Sequence, residues 1–197
     1  MKCLACMVAF LAFLPFAAAA QDSGIDASRC NVQGFSADPD PNGTNVRDAP
    51  NAGATIIGHL PARHADPKTG VTSRPEFHVI GSKDGWLWIE NASEPDGATA
   101  FSFKGPGWIS GKLVGFTLGD RTLRGTPSAD GPVAATLGGK NFGPGSYRVT
   151  GVSGCQGSFV DLSVQLLHGA QKNAAPIEGW ANSVCASRLT CGSGNAH

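Results

Sequence analysis

The sequence has little charge, little tyrosine or methionine, and no internal run with helical periodicity. Charged residues make up 15% of the chain and the formal net charge is +0, so no electrostatic attraction to nucleic acid or an anionic membrane is expected. After the N-terminal region, no window keeps a helical apolar period. The chain does contain 27 Gly and 13 Pro, which interrupt helices and supply turns. The composition therefore predicts an all-β chain of short strands.

The sequence also lacks the motifs of common catalytic and metal sites. It has no Gly-x-Ser-x-Gly elbow and no His-Glu-x-x-His, and after residue 20 it has no Cys-x-x-Cys pair. His64 and Asp66 could share a metal, but two ligands make a weak site. We therefore expect no catalytic residue, no metal and no cofactor.

The N-terminus has the pattern of a secretory signal peptide over residues 1–20. Lys2 precedes an apolar run from Leu4 to Phe16, which is too short to span a bilayer, and small residues end at Ala20. An uncleaved anchor is the alternative, and the polar residues after Ala20 disfavour it. We expect a mature protein that is periplasmic or secreted and does not insert into the membrane.

Cleavage near Ala20 would leave an even number of cysteines in an exported chain, where disulfides are the expected state. Four cysteines allow three pairings, and their spacing does not choose among them. The predicted disulfide residues are Cys30, Cys155, Cys185 and Cys191.

The chain repeats a pattern of segments. "TNVRDAPNAG" and "RTLRGTPSADG" each place an apolar residue, an arginine and a proline in the same order, and an apolar strand follows each. A hairpin pattern comes next in both copies, and then "PGWISGKL" or "EGWANSVC". This repeat predicts two successive small all-β units, residues 21–115 and 116–197. No long polar linker joins them, so we expect the two units to pack together.

The first copy, "NVRDAPNAGATIIGHLP…GWLWIE…GWIS", resembles the bacterial SH3 (SH3b) domain family in four parts that occur in order. The resemblance implies two small SH3-like barrels in tandem after a cleaved signal peptide. The second copy diverges from the first and ends in a C-terminal tail. It places Phe159 where the first copy has Trp86 and Asp161 near the place of Trp88, and it keeps the closing Trp180.

Aromatic residues carry the binding signal. Strand alternation predicts that Trp86 and Trp88 face outwards while Leu87 and Ile89 face the core. Trp88 is either a binding anchor or a residue covered by the second barrel or the N-terminal segment, and framework packing is the favoured role of Trp108.

Arg47 and Arg124 should first satisfy carbonyl groups near their turns. The predicted ligand groove combines the outward face of "WLWIE" with the polar loop 62–75. The candidate ligand-binding residues are Trp86, Trp88, Trp108, Arg47, Arg63 and His64.

The resemblance implies a non-catalytic recognition module of the cell envelope that binds peptidoglycan peptides or an extended protein segment. The alternative is a structural or regulatory protein, such as an inhibitor or accessory subunit, that binds one envelope protein. An enzyme with an unrecognised site is disfavoured, because the two repeats account for almost all of the mature chain.

Overall fold

The protein is represented by a computed structural model that describes residues 27–65, 70, 72–94, 101–139, 142–169, 172 and 174–187. The predicted signal peptide and Cys191 lie outside the described residues. The described residues form 17 strands and a single three-residue 3-10 helix, η1, so the all-β prediction is confirmed. In this part of the chain no helix is long and apolar enough to cross a membrane.

The first half of the chain forms one large antiparallel sheet in the order β10-β1-β6-β7-β9-β2-β3, with β8 paired to β7. The turn between β6 and β7 places Asp84 and Gly85 at positive φ, as a two-residue hairpin requires, and this confirms the hairpin predicted there. A small ribbon of β4 and β5 lies within the predicted polar loop. The elements are β1 (Ser28–Ser36), β2 (Thr44–Arg47), β3 (Ile56–Leu60), β4 (His64–Ala65), β5 (Thr72–Ser73), β6 (Glu76–Lys83), β7 (Trp86–Ser93), β8 (Ser102–Phe103), β9 (Gly107–Ser110), η1 (Gly111–Leu113) and β10 (Val114–Gly115).

The second half forms a five-stranded sheet in the order β13-β12-β16-β15-β14 and a two-stranded ribbon of β11 and β17. Its elements are β11 (Thr117–Leu118), β12 (Thr122–Arg124), β13 (Val133–Thr136), β14 (Tyr147–Gln156), β15 (Phe159–Leu166), β16 (Ile177–Ala181) and β17 (Val184–Cys185).

The two halves pair their strands in the same order. The path β3-β2-β9-β7-β6 of the first sheet corresponds strand for strand to β13-β12-β16-β15-β14. Each half also pairs its first strand with its last strand. These pairs are β1 with β10 in the first half and β11 with β17 in the second. Among the described strands no sheet closes on itself. The repeat in the sequence therefore corresponds to a repeat of strand pairing.

The core is a single cluster of buried residues that draws on both halves. Leu87 and Ile89 of β7 are fully buried, as alternation predicted, and Val160 and Leu162 of β15 hold the same positions in the second half. Small β units bury a limited share of their surface when alone. The shared cluster gives each half more buried apolar area than its own strands supply.

Strand β1 is fastened to the second half close to its start. A disulfide joins Cys30 of β1 to Cys155 of β14 across a sequence separation of 125. Beside it the amide of Asn31 donates to the carbonyl of Gly157 at 2.9 Å, and the amide of Gly157 donates to the carbonyl of Arg29 at 2.9 Å. Cys155 lies within β14, one residue before the strand ends, and is 1% exposed. Cys185 is also disulfide-bonded.

Two further contacts join the halves at this junction. The amide of Cys155 donates to the hydroxyl oxygen of Ser82 in β6 at 2.9 Å. Gly111 of η1 lies so close to β14 that a Cβ atom there would collide with the carbonyl oxygen of Val152. The halves are therefore in tight contact, as the short junction predicted.

We predict that replacing Cys30 and Cys155 together by serine lowers the free energy of unfolding by about 2–5 kcal/mol, because the disulfide closes a long loop in the unfolded chain. Denaturant unfolding without reductant measures the change. Ser153→Ala, at an exposed position of the same strand, is the matched control. Equal midpoints for the double variant and the control would contradict the prediction.

Candidate functional site

Five residues on neighbouring strands form a row across the first sheet, which we call the tryptophan row. The strand register places them side by side, so their side chains share one face of the sheet. In order across the sheet they are Gly81, Trp88, Trp108, Arg47 and Ile56. Trp86 lies two residues before Trp88 on the same face of β7.

The two central indoles stack on each other. The ring centroids of Trp88 and Trp108 are 5.9 Å apart and the planes differ by 13°. Trp108 is buried, whereas Trp86 and Trp88 are half-buried and keep an accessible surface. A Cβ atom at Gly81 would lie 3.1 Å from the carbonyl oxygen of Ser28 and, at an ordinary contact distance, 3.4 Å from the Trp88 ring. Ile56, at the edge of the row, is 52% exposed. The row thus presents an apolar and aromatic surface on one face of the sheet.

Arg47 has a structural partner. Its guanidinium donates to the carbonyl of Ala54 at 2.6 Å, and Arg124 donates to the carbonyl of Gly131 at 2.7 Å. Each arginine therefore reaches the carbonyl seven residues ahead, in the turn after its own strand. This confirms the predicted structural role of both arginines and explains why the motif occurs twice. Among the described residues, the bond to Ala54 uses one of the five N–H groups of the Arg47 guanidinium. Contact between the other N–H groups and a ligand stays a prediction.

The second sheet carries the equivalent row, which we call the second row. In the same order it consists of Gly154, Asp161, Trp180, Arg124 and Val133. The glycine, one tryptophan and the arginine are the same in both rows, and Val133 is 59% exposed like its counterpart Ile56. The register also places Phe159 where the first half has Trp86, as the sequence alignment predicted. The rows differ in chemistry at one place, where Trp88 corresponds to Asp161.

Asp161 lies at a cleft of about 350 Å³ between the halves. Lys83, at the end of β6, and Asp84 line it from the first half, and Asp161 and Trp180 line it from the second. Burial raises the pKa of the Asp161 carboxyl above its ordinary value, and the nearby charge of Glu178 raises it further. The second row is therefore a polar site beside the junction, unlike the aromatic surface of the first.

The predicted residues do not all come together. Trp86, Trp88, Trp108 and Arg47 lie on one face, but His64 contacts buried Glu94, with Nδ1 3.4 Å from Oε1. Glu94 lies six residues beyond Trp88, roughly 20 Å along the chain at the rise of a strand. Arg63 lines a different cleft, between the two halves. Asp66, the other half of the possible metal pair, lies outside the described residues.

Sequence reasoning missed the cationic residues near Arg63. Arg74, Lys112 and Arg148 line the same cleft, although they belong to separate segments. No local motif joins them, and only the packing of η1 and β14 against the first sheet brings them together. Among the described residues, no group of three or more His, Cys, Asp or Glu side chains is placed to hold a metal ion.

Comparisons of the chain with protein-family models, with curated proteins and with solved structures found no match in any of the three.

We predict that Asp161→Asn raises the thermal midpoint relative to the unsubstituted protein at pH 7, and that the difference vanishes below about pH 4. An acid with a raised folded-state pKa stabilises the fold below its unfolded pKa, and this contribution is lost as the pH rises through the folded pKa. Asparagine does not titrate, so the Asp161→Asn variant does not lose this stability as the pH rises.

Thermal unfolding of both proteins between pH 3 and pH 8 measures the effect of Asp161→Asn. Asp130→Asn, at an exposed position of the same half, is the control and should show no such trend. Parallel pH profiles for all three proteins would contradict the assignment.

Proposed function

We propose that the protein is a non-catalytic recognition module of the cell envelope, built from two SH3-like barrels in tandem and exported to the periplasm or beyond. Its ligand is a peptidoglycan peptide or another extended peptide segment, bound on the tryptophan row. The observation that carries the proposal is the half-buried indole of Trp88, which keeps an accessible surface and stacks on buried Trp108.

The repeated strand order supports the SH3-like part of the proposal. Both copies build the same five-strand path, and both close it with a Gly-Trp pair, Gly107-Trp108 and Gly179-Trp180. The disulfide between Cys30 and Cys155 supports export, because such bonds persist in oxidising compartments.

The chemistry of the tryptophan row suits an extended peptide. Aromatic faces supply contact area at low entropic cost, and half-exposed tryptophans are common anchors of binding energy. The free N–H groups of Arg47 can meet a peptide carbonyl or carboxylate beside the indoles. At the end of the row, β3 is an edge strand, so its outer side can pair with an added strand.

One observation favours the second candidate, a regulatory protein that binds a single protein partner. Ile56 and Ile57 on edge strand β3 are 52% and 47% exposed, and adjacent exposed aliphatic residues on an edge are typical of contact surfaces between proteins. A pull-down on purified sacculi separates the candidates. Retention on sacculi supports the first, and an unbound protein that co-purifies with one partner supports the second.

We predict that Trp88→Asp weakens retention on sacculi by at least 1 kcal/mol, within the range of binding hot spots. Aspartate is chosen because the second half holds Asp161 at the same register beside Trp180, so the backbone accepts it. Loss of the stack on Trp108 costs stability of about 0.5–1.5 kcal/mol, so retention is compared for folded protein at low temperature.

Phe159→Ala is the matched control for Trp88→Asp. It removes a half-buried aromatic residue from the corresponding strand of the second half and should leave retention unchanged. Equal retention of Trp88→Asp and the unsubstituted protein would exclude the tryptophan row as the binding surface.

A further inference from the structure

A cleft of about 580 Å³ opens between the two halves, on the other side of the junction from Asp161. Its volume lies in the range of sites for small molecules. Phe35 and Ser36, at the end of β1, form one wall, and Tyr147 and Arg148 of β14 form the facing wall. A ligand in this cleft would touch both halves of the chain.

The charged side chains that line this cleft are all cationic: Arg63, Arg74, Lys112 and Arg148. None of the described residues that line it is acidic. The whole chain has 15 basic and 15 acidic residues, so a local set of four cations is a strong departure from its average. Concentrated charge of one sign in a cleft focuses the field and attracts ions of the opposite sign.

Arg74 is the most constrained of the four cations. Its guanidinium carbon lies 3.2 Å from the centroid of the Phe35 ring, and its side chain is half-buried. Burial lowers the pKa of Arg74, the charge of Glu76 raises it, and the charge of Arg63 lowers it. Arg74 remains charged at any physiological pH. Glu76 therefore offsets part of the positive charge, and Arg63 adds repulsion that a bound anion would relieve.

We propose that this cleft is a binding site for a small polyvalent anion whose carboxylate or phosphate groups contact Arg63 and Arg74 from the first half and Arg148 from the second. Guanidinium groups offer paired N–H donors that match both kinds of oxyanion. Lys112 of η1 adds a fourth positive charge at the rim. The site shares no residue with the tryptophan row, and it stands whether or not that row binds a peptide.

Calorimetric titration of the full mature protein at low ionic strength tests the site, with citrate as the carboxylate probe and pyrophosphate as the phosphate probe. We expect saturable one-to-one binding of at least one probe and a higher thermal midpoint in its presence. The probe that binds more tightly identifies the chemical class of the ligand. Affinity should fall as sodium chloride is added, because the attraction is screened.

Arg63→Gln and Arg148→Gln are the test variants, because both side chains are exposed and their loss should not disturb the fold. Each should weaken binding at least tenfold, and the double variant should abolish it. Arg121→Gln is the control, since Arg121 is equally exposed but does not line the cleft. Arg74→Lys, which keeps the charge but loses the planar donor fork, should weaken binding less than Arg74→Gln.

Failure of both probes to bind would overturn the proposal. So would binding that the Arg63 and Arg148 variants leave unchanged, or that Arg121→Gln weakens as much as they do. The result does not depend on the sacculus pull-down, which reports on the tryptophan row alone.

Discussion

The attachment of strand β1 to the second half is the constraint on which the rest of the structure depends. β1 belongs to the first sheet through β6 and β10, yet Cys30 is bonded to Cys155 and the neighbouring amides pair with Gly157. One strand thus serves two units that would each be small alone. It also borders both clefts, because Ser28 lines the cleft of Asp161 and Phe35 lines the cationic one.

The chain contains the same strand path twice, so equivalent positions in the two halves can be compared. A residue type that both copies keep is one that the path needs, and a residue type that differs is one that it does not need. Each row contains an arginine, Arg47 in the first and Arg124 in the second, because each satisfies a carbonyl of its own turn. The tryptophan of the closing Gly-Trp pair also occurs in both. The position held by Trp88 in one row and Asp161 in the other has no such fixed task, since the backbone pairs in the same way around either residue. Chemistry specific to one half is therefore concentrated at that position.

The features that could be predicted from the sequence are those that neighbouring residues determine, such as strand alternation and a tight turn. Alternation identified Leu87 and Ile89 as core residues, and the Asp84-Gly85 turn fixed the hairpin and its register. The pairing of Cys30 with Cys155 could not be derived, because four cysteines allow three pairings and only tertiary packing selects one. The cationic cleft was missed for the same reason. Its four cations are separated along the chain, and nothing in their own segments indicates that they meet: Arg63, Arg74, Lys112 and Arg148.

The two clefts at the junction between the halves differ in the charge of the residues that line them. At the disulfide end, the lining of the smaller cleft has mixed charge, with Lys83 and Asp84 from the first half and Asp161 from the second. At the other end the lining charges are all positive, and no disulfide joins the halves there among the described residues. Repulsion among those cations acts against the packing of η1 and β14 on the first sheet. An anion held there would remove that repulsion and add contacts to both halves, so its binding and the packing of the halves would be thermodynamically linked.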